Sequence, residues 1–291
     1  MPEKLEYGEI SSLIKPRDPH RHKGNFGRVL LIAGSSNFPG AAALSTAAAL
    51  RSSVGIAELM TTERVIKTVL SRIPEAIVCP MRETRQGKIK FDRVKLLKSL
   101  ERASAVVIGP GMGTGRDTER FVKTLITTYS GTLIIDADGI NVLSRNIDIL
   151  SRKKCNIILT PHHGEMARLG KTDVQNIVVS RAGIASVFAK TYGVYLVLKG
   201  HDTVIAAPDG ETVENTTGNA GLSRGGSGDV LAGMIGAFAA AGHKPMDAAK
   251  LGVFMHGLSA DIAAERKTEH AMLPSDVIEV IPEAFSGIAG H

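Results

Sequence analysis

The segment Ala105-Val106-Val107-Ile108 runs directly into Gly109-Pro110-Gly111-Met112-Gly113-Thr114-Gly115, so an uninterrupted apolar strand is followed by a glycine loop and then by a helical pattern. A strand without polar alternation is covered on both faces, which is typical of a parallel sheet between two helix layers. The loop then lies at the carboxyl edge of the sheet, where open α/β folds bind ligands. It is not a dinucleotide fingerprint, since Arg116 stands where GxGxxG requires glycine. Taken alone, the loop is interpreted equally well as a tight turn.

The same strand pattern recurs along the chain and predicts an α/β fold. Further apolar runs of strand length lie at 28–33, 56–60, 76–79, 132–136, 156–160 and 194–199. Helical patterns are predicted at 41–54, 117–129, 172–192, 230–241, 246–266 and 275–281. Two short runs around Pro208-Asp209-Gly210 predict a hairpin that forms an antiparallel edge. We expect residues 1–291 to form a single domain with residues 1–20 as a loosely attached N-terminal arm.

Composition narrows the classes of partner. The chain has 35 basic and 29 acidic residues, a net charge of +6, which fits either polyanionic small molecules or solubility alone. Aromatic residues make up 4% with no Trp, so stacking platforms are few and we expect no nucleic acid partner. No window reaches ~18 apolar residues and no secretory leader is evident, which predicts a cytoplasmic protein without membrane contact. Cys79 and Cys155 are isolated and predict buried free thiols.

A second glycine loop carries the clearest chemical signal. Gly225-Gly226-Ser227-Gly228-Asp229 leads directly into the apolar helical pattern that follows. Such a loop exposes backbone N–H groups to an anion at a helix start. Because a carboxylate repels phosphate, Asp229 is expected there only if it acts on an incoming hydroxyl. The combination indicates phosphoryl transfer, in which Asp229 acts on the hydroxyl and the backbone N–H groups of Gly226, Ser227 and Gly228 bind the anion.

Three other polar loops follow predicted strands at the same edge of the sheet. Lys199 either points at phosphate or extends its ammonium to solvent. His162 and Glu165 can contact a ligand or a hydrated Mg²⁺, whereas zinc is not expected, because no helical i, i+4 ligand pair is present. His163 is assigned to solvent or packing. Asp138 can face the crevice, but we assign it as a helix N-cap. Together these loops predict a pocket for a phosphorylated small molecule.

The ordered blocks resemble the ribokinase-like superfamily and, within it, the ADP- or ATP-dependent NAD(P)H-hydrate dehydratases. The blocks lie between residues 22 and 260 and are Lys23-Gly24-Asn25-Phe26-Gly27 with Ala33-Gly34-Ser35, Pro39-Gly40-Ala41-Ala42, Gly109-Pro110-Gly111-Met112-Gly113, Asp136-Ala137-Asp138-Gly139, Thr160-Pro161-His162, Leu198-Lys199-Gly200 and Gly226-Ser227-Gly228-Asp229-Val230-Leu231-Ala232-Gly233. The resemblance implies a three-layer α/β/α sandwich with a mostly parallel central sheet.

The resemblance also implies a reaction and a role for each residue. ADP or ATP phosphorylates the ring hydroxyl of hydrated NADH or NADPH, and phosphate then leaves to restore the double bond. Asp229 takes the hydroxyl proton, and Glu165 occupies the acid position of the superfamily's NxxE motif, which organises Mg²⁺. The adenine nucleotide contacts Lys199, Gly200, His201, Asp202, Thr203 and Gly228. The hydrated dinucleotide contacts Ala42, Gly113, His162 and Asp229.

Some positions depart from the family pattern, and several alternatives stay open. His162 replaces the Asn of the NxxE motif, and Arg224 either adds a phosphate contact or is solvated. Only residues 1–22 precede the first block, so a dehydratase domain without the fused epimerase module is expected. The preferred nucleotide and dinucleotide are undecided. We expect a homo-oligomer, with a tetramer as the candidate form. Its alanine-rich helices either pack between subunits or complete the helix layer.

Two rival functions stay open. One is a kinase of the same superfamily acting on a small vitamin-like or sugar alcohol, and the other is a nucleotide-sensing protein without turnover.

Overall fold

The computed structural model describes residues 2–20 and 22–289, and one 10-stranded sheet forms its centre. The sheet order is β1-β10-β9-β8-β7-β6-β5-β2-β3-β4. The strands are β1 (Glu3–Lys4), β2 (Arg28–Ile32), β3 (Ile56–Thr62), β4 (Ile77–Met81), β5 (Ala105–Ile108), β6 (Thr132–Ile135), β7 (Asn156–Leu159), β8 (Tyr195–Leu198), β9 (Thr203–Ala206) and β10 (Thr212–Asn215). Only β9 runs antiparallel to its neighbours, so the predicted mostly parallel sheet is confirmed.

Helices cover both faces of the sheet. They are α1 (Tyr7–Leu13), α2 (Pro39–Arg51), α3 (Glu63–Leu70), α4 (Arg93–Leu100), α5 (Arg116–Thr128), α6 (Asp138–Leu143), α7 (His163–Gly170), α8 (Val174–Val179), α9 (Arg181–Tyr192), α10 (Ser227–Ala240), α11 (Pro245–Lys267), α12 (Pro274–Glu279) and α13 (Ile281–Ala289). Short 3-10 turns lie at Lys23–Phe26, Ile147–Arg152 and Ala220–Leu222. None of these helices combines the length and the apolar character needed to cross a bilayer.

One predicted helix is divided in the structure. The pattern at 172–192 predicted a single helix, but α8 ends and α9 begins around Ser180, which has φ −137° and ψ 54°. Ile177, Val178 and Val179 precede the break. β-Branched side chains lose rotamer freedom in a helix and serine competes for backbone hydrogen bonds, so this run favours a helix end.

Alternate residues of each central strand belong to opposite cores, which explains the absence of polar alternation. In β5, Val107 packs in the core formed with α2, α10 and α11, whereas Val106 and Ile108 pack in the core formed with α5, α6 and α9. The alanine-rich residues of α10 and α11 are buried in the first of these cores. Those helices therefore complete the helix layer of their own chain.

Glycines in α10 let this helix approach its neighbours closely. A Cβ on Gly233 would lie 2.2 Å from the Ser45 carbonyl oxygen of α2, and one on Gly236 would lie 2.2 Å from Val107 Cγ2 of β5. Only glycine avoids these overlaps. The close approach fixes α10 over β5.

The predicted hairpin is present as β9 and β10, but β10 is not the edge of the sheet. β1 pairs in parallel with β10, and Leu5 and Ile10 of the N-terminal arm are buried. Lys250 Nζ of α11 lies 2.9 Å from Glu9 Oε1 and 2.9 Å from Glu211 Oε1. The arm is therefore packed and ion-paired, because its apolar side chains extend the first core.

Candidate active site

A cavity of about 730 Å³ opens at the carboxyl ends of β6, β7 and β8, beside the N-terminus of α10. Most of the predicted site residues line it, namely His162, Glu165, Lys199, Gly200, His201, Asp202, Thr203, Gly226, Ser227, Gly228 and Asp229. Ala42 and Gly113 are not among the lining residues. The chain therefore brings together predicted residues from three separate loops, which follow β7, β8 and β10.

Lys199 is fixed beside the glycine loop by a buried carboxylate. Its Nζ lies 2.9 Å from Asp136 Oδ1, and Thr160 Oγ1 donates a hydrogen bond to the same oxygen at 2.6 Å. Asp136 is 1% exposed. A Cβ on Gly228 would lie 3.2 Å from Lys199 Nζ, so the ammonium is close to the backbone of the predicted anion hole. A positioned cation thus faces any anion bound there.

Asp229 is surrounded by groups that oppose its ionisation. Burial, reinforced by the negative charge of Asp136, raises the pKa of Asp229 to about 7 from an ordinary value of 3.8, although Lys199 acts in the opposite direction. Burial also lowers the pKa of Lys199, but the carboxylates of Asp136, Glu165 and Asp229 outweigh it and the pKa is raised overall. Near neutral pH Asp229 therefore gains and loses a proton readily, as a general base requires.

The backbone at the start of α10 has open donors. Gly226 is the N-cap with φ +102°, a left-handed conformation that favours glycine, and no side chain caps the helix. In residues 2–20 and 22–289, the N–H groups of Gly226, Gly228 and Asp229 donate to no protein acceptor. The Ser227 N–H was predicted to bind the anion as well, but it donates a hydrogen bond to the Arg224 carbonyl at 3.3 Å. The open amides and the Lys199 ammonium are groups of the kind that bind an anion.

His162 and Glu165 form a capping box at the start of α7. His162 Nδ1 accepts from the Gly164 N–H at 3.0 Å, and Glu165 Oε2 accepts from the His162 N–H at 2.9 Å. Burial lowers the pKa of His162, and Lys199 and Arg168 lower it further. The neutral ring therefore carries its proton on Nε2, which lies 3.5 Å from Glu165 Oε1. Burial raises the pKa of Glu165, which is 4% exposed.

The side chains at this edge of the sheet do not form a preformed metal-binding cage. Within the described ranges, no group of three or more His, Cys, Asp or Glu side chains is placed to hold a metal ion. Mg²⁺ needs only one or two carboxylates when waters and phosphates fill the other positions. Glu165 and Asp136 Oδ2 supply oxygen donors of the kind that Mg²⁺ prefers. The residues present therefore fit a magnesium ion held jointly with a nucleotide.

Ala42 of α2 and Gly113 of the loop after β5 belong to elements beside β2 and β5, where the strand order reverses, and Ala42 is fully buried. Gly113 has φ +75°, and its N–H donates to Asp138 Oδ2 at 2.7 Å. Ala42 packs against Gly34, whose added Cβ would lie 2.8 Å from Ala42 Cβ. Asp138 was expected to be a helix N-cap, but Ala137 occupies that position. Asp138 instead ties the β5 loop to the β6 loop.

The sequence analysis assigned no role to three residues that line or support the cavity: Asp136, Arg181 and His256. Asp136 ends an apolar strand, and this isolated carboxylate is the signal that was available. Arg181 donates to the backbone carbonyls of His201 and Asp202. His256 of α11 lines the cavity; burial and, secondarily, Lys199 lower its pKa to about 4, and its Nε2 has no partner within the described residues. Neither residue has a local signal in the sequence, because Arg181 contacts a loop about 20 residues away and His256 reaches the cavity only through the packing of α11.

Arg224 stands at the rim of the cavity and is exposed. Its Nη2 donates to the His270 carbonyl. The guanidinium is therefore tied to the loop that precedes α12, with part of its hydrogen-bonding capacity already used.

Comparison with known proteins identifies the family. The family model described as NAD(P)H-hydrate dehydratase matches residues 29–283. The chain is 32% identical over 276 residues to the ADP-dependent (S)-NAD(P)H-hydrate dehydratase of Bacillus subtilis, covering 95% of both proteins. It is 35% identical over 276 residues to the bifunctional NAD(P)H-hydrate repair enzyme Nnr of Thermofilum pendens, covering 94% of this chain and 53% of that protein. It thus spans about half the length of such bifunctional relatives.

A solved structure agrees with the sequence comparisons. The crystal structure of the ADP/ATP-dependent NAD(P)H-hydrate dehydratase from Bacillus subtilis, co-crystallised with ATP and Mg²⁺, superposes with a TM-score of 0.86. The identity is 30%, and the match covers 98% of each chain. This agreement confirms the predicted ribokinase-like three-layer α/β/α sandwich. On these grounds, and on the ordered loops at the carboxyl edge of its sheet, the chain belongs to the NAD(P)H-hydrate dehydratase family.

Proposed function

We propose that the protein converts hydrated NADH or NADPH back to NADH or NADPH at the expense of ADP or ATP. The observation that carries this proposal is the location of Asp229, whose pKa is raised to about 7, beside Lys199 and the open amides of α10. A base next to an anion site is suited to phosphorylating a hydroxyl. The ADP-dependent dehydratase activity of the Bacillus subtilis relative, and the ATP and Mg²⁺ with which the related structure was crystallised, support the same substrates.

The first step is transfer of a phosphoryl group to the ring hydroxyl. The hydroxyl oxygen bonds to the terminal phosphorus of the nucleotide, its proton passes to Asp229, and the bond from phosphorus to the leaving nucleotide oxygen breaks. Lys199 and the N–H groups of Gly226 and Gly228 stabilise the charge on the phosphoryl oxygens. ADP thus leaves as AMP, or ATP as ADP.

The second step is elimination. The bond between the ring carbon and the phosphate oxygen breaks with help from the lone pair of the ring nitrogen, and the departing phosphate takes a proton from the adjacent carbon. This restores the ring double bond and releases inorganic phosphate. The same cation and amides stabilise the departing phosphate, so one anion site serves both steps. His162, which lines the same cavity, contacts the dinucleotide.

We further propose that Glu165 helps to hold Mg²⁺ with the nucleotide. Mg²⁺ neutralises phosphate charge when it is bound. The buried position of Glu165 near Lys199 and Asp136 supports this role, because its carboxylate is held toward the cavity by the capping box.

Glu165→Gln tests the metal role without removing the cap, because an amide oxygen still accepts from the His162 N–H. We expect the Mg²⁺ concentration for half-maximal activity to rise about tenfold, since a charged ligand is lost. Thermal unfolding should remain close to wild type. Glu165→Ala is the matched variant that removes both the charge and the cap, and it should also lower Tm. An unchanged Mg²⁺ dependence in Glu165→Gln would contradict a metal role.

The raised pKa of Asp229 predicts a pH-dependent rate. The base acts when it is ionised, so kcat/KM should fall about tenfold per pH unit below about pH 7 and level off at higher pH. Initial rates measured across this range at constant ionic strength give the profile. In Asp229→Asn the residual rate should lose this acid limb. A wild-type rate that stays flat through neutral pH would show that another group acts as the base.

The function itself is tested by incubating the protein with hydrated NADH, ADP or ATP, and Mg²⁺. Recovery of absorbance in the reduced-nicotinamide band supports the dehydratase, and reactions lacking nucleotide are the control. A stable phosphorylated product from a small alcohol would favour the kinase alternative. Nucleotide binding with neither reaction would favour a sensor. Absence of recovery with both nucleotides would contradict the dehydratase.

A further inference from the structure

The loop that connects β8 to β9 is held from outside the cavity by the first residue of α9. The Arg181 guanidinium donates through Nη1 to the His201 carbonyl and through Nη2 to the Asp202 carbonyl. Its Nε is buried and has no acceptor among the described residues. One side chain therefore bridges two consecutive carbonyls of a loop that lies 20 residues further along the chain.

Side-chain donors occupy the carbonyls of residues 200–202. Thr203 Oγ1 donates to the Gly200 carbonyl at 3.1 Å, and Arg181 occupies the carbonyls of His201 and Asp202. Asp202 adopts φ +54°, a left-handed conformation that is costly for a residue with a Cβ. Such a conformation persists when the surrounding contacts hold it, and Arg181 supplies two of those contacts.

The donors of the same loop remain open. In the described part of the chain, the N–H groups of Gly200, His201 and Asp202 donate to no protein acceptor. All three residues line the cavity. Consecutive backbone N–H groups next to a left-handed residue form an anion-binding concavity. The carbonyls are thus satisfied by Arg181 and Thr203, and the amides are left for a ligand.

We propose that Arg181 is a positioning residue that sets the backbone of residues 200–202 for the phosphates of the adenine nucleotide. This inference rests on the proposed function, because it takes an adenine nucleotide as the ligand of this loop. Arg181 does not line the cavity and acts through its hydrogen bonds to the backbone of His201 and Asp202.

The chemistry at this position selects arginine over lysine. A planar guanidinium presents parallel N–H donors that reach two carbonyls at once, whereas an ammonium acts as a point charge. Burial lowers the pKa of Arg181, and Glu214 and Asp202 oppose that shift, so the side chain keeps its charge. His163 packs on the same side, since a Cβ on Gly200 would lie 2.9 Å from its Nε2. The loop therefore has little room to adopt another arrangement.

The experiment compares Arg181→Lys and Arg181→Ala with wild type by calorimetric titration with ADP and with ATP. We expect Kd for both nucleotides to rise about tenfold in Arg181→Lys and further in Arg181→Ala, a change of about 1.4 kcal/mol for each factor of ten. KM for the nucleotide should rise by the same factor, while kcat and KM for hydrated NADH stay within about threefold. Added guanidinium ion should restore part of the nucleotide affinity of Arg181→Ala.

Lys153→Met is the matched control. Lys153 Nζ donates to the Tyr192 carbonyl at 3.0 Å, so this variant removes a similar bond at the other end of α9. It should lower Tm without changing Kd for ADP or ATP. Wild-type affinity in Arg181→Lys, or losses of affinity that merely follow Tm in all three variants, would overturn the proposal.

Nucleotide binding and dehydratase activity are measured separately, so the role of Arg181 and the dehydratase function can fail independently. A wild-type protein that binds ADP without dehydrating hydrated NADH would contradict the dehydratase, and the calorimetric comparison of Arg181 variants would still decide the positioning role. A wild-type protein that binds neither ADP nor ATP would overturn both.

Discussion

Asp229→Asn is expected to lower kcat by about a thousandfold while ADP and ATP still bind. The amide cannot accept the hydroxyl proton during phosphoryl transfer, and general base catalysis contributes about 10²–10⁴ in rate. The side chain volume is almost unchanged, so the glycine loop and Lys199 keep their places. Single-turnover kinetics with hydrated NADH and calorimetric titration with ADP measure the two effects separately.

The same substitution should stabilise the protein above neutral pH. Burial raises the pKa of Asp229, so the folded protein binds this proton more tightly than the unfolded chain. The charge of Asp229 therefore reduces stability increasingly as pH rises from about 4 to about 7, and Asn removes that cost. Asp148→Asn, at an exposed position before β7, is the control and should change neither kcat nor Tm. Near wild-type turnover in Asp229→Asn would remove Asp229 from the mechanism.

Lys199→Met is expected to have the second largest effect. It removes the cation beside Gly228, and loss of one positioned donor to a developing oxyanion costs about 10²–10³ in kcat. Among the residues that the structure describes, it also leaves the buried Asp136 carboxylate with Thr160 as its one side-chain donor. Breaking a buried ion pair from one side costs about 3–5 kcal/mol, so Tm should fall clearly.

The double variant Lys199→Met with Asp136→Asn separates the two effects. Removing both charges relieves the unpaired carboxylate, so we expect most of the lost stability to return, as measured by urea unfolding. Activity should stay low because the cation is still absent. Recovery of both stability and kcat in the double variant would show that Lys199 matters only as the partner of Asp136.

The parts of the site that could be predicted are those marked by residue patterns within a short stretch of sequence. The loops at Gly226 and Lys199 follow from strand and glycine patterns, and parallel strands place such loops at one edge. Asp136 was missed because its partner, Lys199, is 63 residues away, and pairing across that distance requires the sheet order. Asp138 was misassigned because its Gly113 partner comes from another loop. Arg181 was missed for the same reason.

The sequence by itself determined the class of fold, the edge that binds ligands, the residues of the two glycine loops and the family. These depend on residue spacing and on backbone conformations that neighbouring residues set. Only the tertiary structure decided which groups meet in the cavity, which ring nitrogen of His162 carries the proton, and how far the pKa of Asp229 is raised. Burial and charge at a point come from elements distant in sequence, so these properties exist only once the sheet and helices are packed.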